Sequence, residues 1–189
     1  MKRVLLDCDG VLADFISRVC ETIEFHGGGK FMPDQVMEFN FAKALQLGPF
    51  LASAVKKTIS NEPGWWSSLR PFPEAVDGVA RLQEIAEVYV VTAPWNSCKT
   101  WLHDREWWLK KHFGIPHSHV LAGSAKHLVS GDLFVDDKTE ALHAWNANQA
   151  GIAVQWQTPH NRLDSWSGHS TRSWDELIGW VQWQAESQP

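Results

Sequence analysis

The N-terminal stretch Leu5-Leu6-Asp7-Cys8-Asp9-Gly10-Val11 sets two carboxylates one residue apart at the end of an apolar run. A second acidic pair, Asp136-Asp137, closes the run Leu133-Phe134-Val135, and Thr92 closes Val88-Tyr89-Val90-Val91. Like charges ~4 Å apart repel by about 4 kcal/mol even at an effective dielectric near 20. Acids gathered at one place therefore call for a cation. An all-oxygen set with a few carboxylates, waters and a phosphate suits Mg²⁺. Gly10 allows a sharp turn directly after the acids. Cys8, between them, is expected to point away from the site and pack.

Elements that could bring these tips together follow from periodicity. Arg3 to Leu6, 88–93, 119–123, 132–137 and 152–156 read as strands. Helices are expected over 71–87, opened by Pro73, over 99–114, closed by Gly114, and over 138–151, ending at Gly151. In the first of these Val76, Val79, Leu82 and Ile85 form the apolar stripe. Ser173 and Glu176 fit a capping box that starts a last helix. Strands alternating with helices predict an α/β fold, a Rossmann-like parallel sheet with helices on both faces. Ligands of such sheets sit at the carboxyl ends of strands, near a switch in strand order, where all three polar tips fall. Residues 17–70 differ: helical spacing broken by HGGGK, Pro33, Gly48-Pro49 and Pro63-Gly64 predicts an insert of two to four short helices.

The chain of 189 residues is long enough for one domain with a small insert, burying roughly 70% of its unfolded surface. A net charge of −5 argues against binding a nucleic acid polymer, which needs a basic face. No run is long and apolar enough for a membrane span. Three cysteines without metal-like spacing predict reduced thiols and a cytoplasmic location. Of the 12 tryptophans, those at 101, 107, 108, 145, 174, 180 and 183 are expected to pack helices. The scattered histidines are read as surface or core residues. HGGGK lacks the spacing of a phosphate-binding loop and is read as a turn.

Asp7-Cys8-Asp9-Gly10-Val11 resembles the first motif of the haloacid dehalogenase superfamily of phosphohydrolases. Thr92 resembles its second motif, Lys126 in GSAKH its third, and Asp136-Asp137 its fourth, in order across almost the whole chain. DCDGVLADF, the stretch from PGWW to LRPFPEA, and GDLFVDDK are similar to the 5'(3')-deoxyribonucleotidase family. The resemblance implies a nucleophile at Asp7 and a general acid and base at Asp9. An alkoxide is a poor leaving group, so a phosphatase needs that second acid. Thr92 and Lys126 would hold phosphate oxygens. Mg²⁺ would be held by Asp7, the Asp9 backbone carbonyl and one acid of the Asp136-Asp137 pair. Relatives with paired acids point to Asp137, leaving Asp136 to pair with Lys126.

By the same resemblance, residues 17–70 form a cap over a core made of 1–16 and 71–189. Phe15, Phe39, Phe41, Trp65 and Trp66 are expected to line the substrate space, as platforms for a nucleobase. Arg105 stands where relatives carry Lys and is read either as a phosphate contact or as part of a solvated helix face. Lys138 is read as a rim charge or as a helix-start surface residue. Ala93 replaces a Ser common in relatives, removing one phosphate donor. The expected activity is a Mg²⁺-dependent phosphomonoesterase acting on a nucleoside monophosphate, with a deoxyribonucleotide preferred. A phosphatase for another small phosphate, such as a sugar phosphate, and a catalytically silent nucleotide- or metal-binding module remain as alternatives. The sequence leaves the oligomeric state open, a homodimer included.

Overall fold

The computed structural model describes residues 2–186. Its centre is a six-stranded, all-parallel sheet: β1 (Lys2–Leu6), β2 (Ala86–Thr92), β3 (Val120–Ala122), β4 (Leu133–Asp136), β5 (Ile152–Trp156) and β6 (His169–Thr171). The strand order is β3-β2-β1-β4-β5-β6. From β1 the chain builds outward through β2 and β3, then crosses back to place β4 on the other side of β1. The switch in strand order therefore lies at β1, whose tip carries Asp7.

Alternate residues of each strand feed two cores. Val4, Leu6, Val88, Val90 and Val135 meet α1 (Phe15–Phe25), α4 (Pro73–Gln83), α5 (Trp101–Phe113) and α7 (Trp174–Glu186) on one face. Leu5, Val91, Phe134 and Ala153 meet Leu142 and Trp145 of α6 (Thr139–Asn148) on the other. The helices lie on both faces because both strand surfaces are apolar.

Helix boundaries follow local chemistry. The Asp14 side chain accepts from the Ser17 amide and caps α1. Pro73 occupies the first turn of α4. Gly114 closes α5 in the left-handed conformation, at φ 68°. Ser173 Oγ accepts from the Glu176 amide at 3.3 Å, but the Glu176 carboxylate accepts from the Thr171 hydroxyl at 2.6 Å. The expected box at α7 is thus half formed.

Several expectations are corrected. The buried side of α4 is Ala75, Gly78, Val79 and Leu82, while Val76 is exposed and Ile85 lies beyond the helix. The reason is Trp174, whose ring lies where a Cβ on Gly78 would be. α6 ends at Asn148 rather than at Gly151, and residues 117–119 form a 3-10 turn before β3. β6 was not expected at all. Trp107 and Trp183 are exposed rather than packed inside, and Lys111 lies over the Trp107 ring.

The segment between β1 and β2 is helical before α4: α1, α2 (Phe41–Ala44) and α3 (Pro49–Asn61), with 3-10 turns at Pro33–Gln35 and Trp66–Ser68. Its two ends run side by side. The Asp14 amide donates to the Arg70 carbonyl and the Phe72 amide to the Leu12 carbonyl, both at 2.9 Å.

Candidate active site

The ladder continues one residue past β1, where the Asp7 amide donates to the Val135 carbonyl at 2.8 Å. The chain then turns at Gly10, with φ 87°. A Cβ at Gly10 would run into Asp137 Oδ2, so only glycine lets the loop pass the acids. Cys8 is buried in the core, as its position between the acids suggests.

Asp7, Asp136 and Asp137 are all buried, and each offers an oxygen within 4.8 Å of the others. Lys126 reaches in from a 3-10 turn, Lys126–Leu128, that follows β3. Its Nζ lies 2.7 Å from Asp7 Oδ1 and 2.7 Å from Asp136 Oδ2. The second Asp136 oxygen accepts from the Lys138 amide at 2.8 Å. Both Asp136 oxygens are therefore engaged by the protein. On Asp137, His160 Nε2 stands 3.0 Å from Oδ2 without hydrogen-bond alignment. Thr92 ends β2, buried, two residues past the Leu6–Val90 pair.

Burial pushes the Asp7 carboxyl well above the ordinary range, against the pull of Lys126, and the Asp136 and Asp137 charges add to it. Burial raises Asp136 likewise. Burial opposes the charged form of Lys126, but Asp7 and Asp136 outweigh it and hold the ammonium above its usual value. Two carboxylates, Asp7 and Asp136, thus share one ammonium, with the Asp137 carboxylate beside them. The donor set, all hard oxygens converging in a space kept open by Gly10, fits a divalent cation such as Mg²⁺.

Asp9 has different surroundings. Arg105 Nη2 donates to both of its oxygens, at 2.7 and 2.8 Å, and Nη1 donates to Cys8 Sγ at 3.1 Å. Burial raises the Asp9 carboxyl and Arg105 draws it back. Arg105 is 0% exposed. It does not lie on a solvated helix face, which corrects that reading, and its two terminal nitrogens are engaged by Cys8 and Asp9.

The aromatic expectations divide. Phe41, Trp65 and Trp66 are 5%, 1% and 2% exposed and belong to the core, not to an open substrate wall. Trp65 Nε1 donates to Thr22 Oγ1 and Trp66 Nε1 to the Ile59 carbonyl, both at 3.0 Å. Phe15 is half-buried, stacks on Trp66 at 5.7 Å, and lines a cleft of about 250 Å³ beside Gly10, Phe72, Trp156 and His160. Phe39 is exposed at the rim, with Lys138 Nζ 4.6 Å over its ring and the His160 ring at its edge.

Three residues at the site escaped the sequence reading. His160 contacts Asp137 and Phe39. Asn161, also buried, donates to the carbonyls of Asp137 and Trp156, tying the tips of β4 and β5 together. Trp95 donates to Ser60 Oγ at 2.9 Å and so fastens the loop after β2 to the end of α3. The signal for His160 and Asn161 is their place in the turn that follows the carboxyl end of β5, where ligands of a parallel sheet gather.

Comparison with known proteins supplies the context of this geometry. A model of the family described as "5' nucleotidase, deoxy (Pyrimidine), cytosolic type C protein" matches residues 1–185. The chain is 28% identical over 181 residues to mitochondrial 5'(3')-deoxyribonucleotidase of Mus musculus, covering 87% of this chain and 81% of that protein. It is 29% identical over 197 residues to the cytosolic type of Homo sapiens, covering 93% and 92%. Among solved structures, a HAD family hydrolase from Deinococcus radiodurans, with bound phosphate and sodium, superposes with a TM-score of 0.63 at 13% identity, covering 100% of this chain and 98% of that one. A HAD-hydrolase from Bacillus subtilis bound to magnesium gives 0.58 at 14% identity, covering 95% and 98%. These two likenesses establish the fold.

Proposed function

Because the chain belongs to the 5' nucleotidase, deoxy (Pyrimidine), cytosolic type C family, we propose that it hydrolyses nucleoside monophosphates, deoxyribonucleotides above others, through an aspartyl-phosphate. It is a phosphomonoester hydrolase of the haloacid dehalogenase-like, 5'(3')-deoxyribonucleotidase type. The observation that carries the mechanism is the convergence of Asp7, Asp136 and Asp137 oxygens within 4.8 Å, with a single ammonium held between Asp7 and Asp136.

In this reading Asp7 attacks phosphorus and Asp9 protonates the leaving oxygen. Asp9 then takes a proton from the water that releases phosphate from Asp7. Thr92 and Lys126 hold phosphate oxygens, and the ammonium keeps its charge because two carboxylates flank it. Asp136, held by Lys126 and the Lys138 amide, fixes the lysine in place. Asp7, the Asp9 carbonyl and Asp137 would hold Mg²⁺. When bound, the metal supplies positive charge that lets an anionic nucleophile meet an anionic phosphate. Residues 17–70 act as the cap of a core formed by 1–16 and 71–189, with Phe15 and Phe39 the aromatic groups left to meet a base. The exposed ring of Phe39 beside Lys138 and the half-buried ring of Phe15 support this assignment.

One observation favours a second reading. Withdrawal of Phe41, Trp65 and Trp66 into the core removes three of the expected platforms, which suits a smaller phosphate such as a sugar phosphate. The test is phosphate release from ribo- and deoxyribonucleoside monophosphates and sugar phosphates, with Mg²⁺ and with chelator. Chelator-sensitive release favouring deoxyribonucleotides is expected. Preference for sugar phosphates would keep the mechanism and discard the nucleotide pocket. Ligand binding without any release would overturn the enzymatic reading in favour of a silent module.

A further inference from the structure

Arg105 is fully enclosed, and among the described residues Asp9 is the one acid it pairs with. Its Nη2 donates to both Asp9 oxygens, and its guanidinium carbon lies 5.2, 5.6 and 5.7 Å from the rings of Trp66, Trp101 and Trp108. Trp101, Arg105 and Trp108 stand at i−4, i and i+3 on α5, so one helix face presents the guanidinium between two rings. The insert supplies the third. Such a cage fixes the plane of the guanidinium, and the two hydrogen bonds from Nη2 fix the carboxylate of Asp9, which is 27% exposed. A lysine could supply the charge but not this plane.

We propose that Arg105 is the positioning residue of the proton-transfer carboxylate. It acts on catalysis only through Asp9. The inference rests on the reading of Asp9 as acid and base. In the first step the Asp7 oxygen bonds to phosphorus, the ester P–O bond breaks, and the Asp9 proton goes to the departing alkoxide. In the second, a water proton goes to Asp9, its oxygen bonds to phosphorus, and phosphate leaves Asp7. An aryl leaving group such as p-nitrophenolate departs without a proton, so its first turnover should not depend on where Asp9 points.

The experiment compares Arg105→Met, Arg105→Lys, Asp9→Asn and the Asp9→Asn/Arg105→Met double variant with Mg²⁺ present. The substrates are the alkyl phosphate on which the wild type is most active and p-nitrophenyl phosphate. Arg105→Met is expected to lose about 10²-fold in kcat on the alkyl phosphate with KM within about threefold. It should keep a first-turnover burst of p-nitrophenolate. Arg105→Lys should lose about tenfold with the same burst, and it carries the test if the Met variant does not fold. The double variant should be no slower than Asp9→Asn. A raised KM with unchanged kcat would make Arg105 a phosphate contact and overturn the proposal. Equal first-turnover losses on both leaving groups, or additive losses in the double variant, would also overturn it. Wild-type turnover of the alkyl phosphate by Asp9→Asn would instead refute the role of Asp9, and the proposal with it.

Discussion

Asp7 and Asp9 are separated by one residue and experience opposite electrostatics. Asp7 shares Lys126 with Asp136 while Asp137 stands nearby, so negative charge is in excess. Asp9 is matched one to one by a guanidinium that belongs to no other acid among the described residues. The first environment is incomplete without a cation, and the second is complete. A single short motif thus feeds a site with negative charge in excess and a site that carries its own counter-charge. The division follows from the strand: Asp7 faces the tips of β1 and β4, and Asp9, past the pleat, meets α5.

The widest break of this contrast comes from neutralising each acid in turn. Asp7→Asn should lower phosphate release to below about 10⁻⁴ of wild type if Asp7 supplies the attacking oxygen as proposed. Its stability should move the other way. Burial raises the Asp7 carboxyl, so the metal-free fold holds a proton that the unfolded chain has released, and it loses stability as pH rises through that interval. Asn has no such proton to lose. Urea unfolding of metal-free protein near pH 7 should therefore find Asp7→Asn at least as stable as wild type. Asp9→Asn leaves Arg105 enclosed with a weaker partner and should cost about 2–3 kcal/mol, at or below the low end for a broken buried pair because Asp9 is partly exposed. Destabilisation by both variants would remove the distinction.

The metal sharpens the same contrast. At 100 times its dissociation constant a ligand stabilises by about 2.7 kcal/mol. For a domain of this size that is about 5–10 °C in Tm. Mg²⁺ should raise the Tm of wild type and Asp9→Asn by such an amount and that of Asp7→Asn by far less, with phosphate release falling to background in chelator. Because protons compete for the raised Asp7 carboxyl, the apparent Mg²⁺ affinity should strengthen as pH rises. A thermal shift that is equal in all three proteins would place the cation elsewhere.

The incomplete site was legible in the sequence and the complete one was not. Asp7, Thr92 and Asp136-Asp137 each end an apolar run, and that contrast of burial and charge survives in one dimension. Lys126 carries no such local mark and was reached only by resemblance. The Asp9–Arg105 pair spans 96 positions and depends on three rings from two segments. Composition likewise told that the insert is aromatic but not which rings its own helices would bury. Trp65 and Trp66 turned inward because Thr22 and the Ile59 carbonyl offer their indoles partners there. β6 has three residues and edge-strand pairing on one side only, too short a run for alternation to register.

Trp66 tests whether the complete site is built by the core. It is 2% exposed, and it touches Arg105 rather than any open space. Trp66→Leu should cost about 2 kcal/mol, less than the 3–5 kcal/mol of a buried Trp→Ala change. Through the loosened cage it should lower kcat severalfold with KM nearly unchanged. A selective rise in KM for nucleotides, with stability intact, would restore Trp66 to the substrate wall.

Phe39 carries the smallest expected effect and reports on the incomplete side. Its ring is 61% exposed, so truncation removes little buried surface, and urea unfolding of Phe39→Ala should agree with wild type within about 0.5 kcal/mol. What it loses is the rim contact: Lys138 over its face, and the edge of His160, which in turn stands against Asp137. If the ring meets a base, KM for nucleoside monophosphates should rise by about three- to tenfold, the size of one stacked base at 1–3 kcal/mol reduced by exposure. KM for sugar phosphates, which offer no flat face, should stay within twofold. A parallel rise for both substrate classes would mean that Phe39 acts through Lys138 and His160 on the acidic cluster. The aromatic rim would then belong to the metal side of the molecule and not to substrate choice.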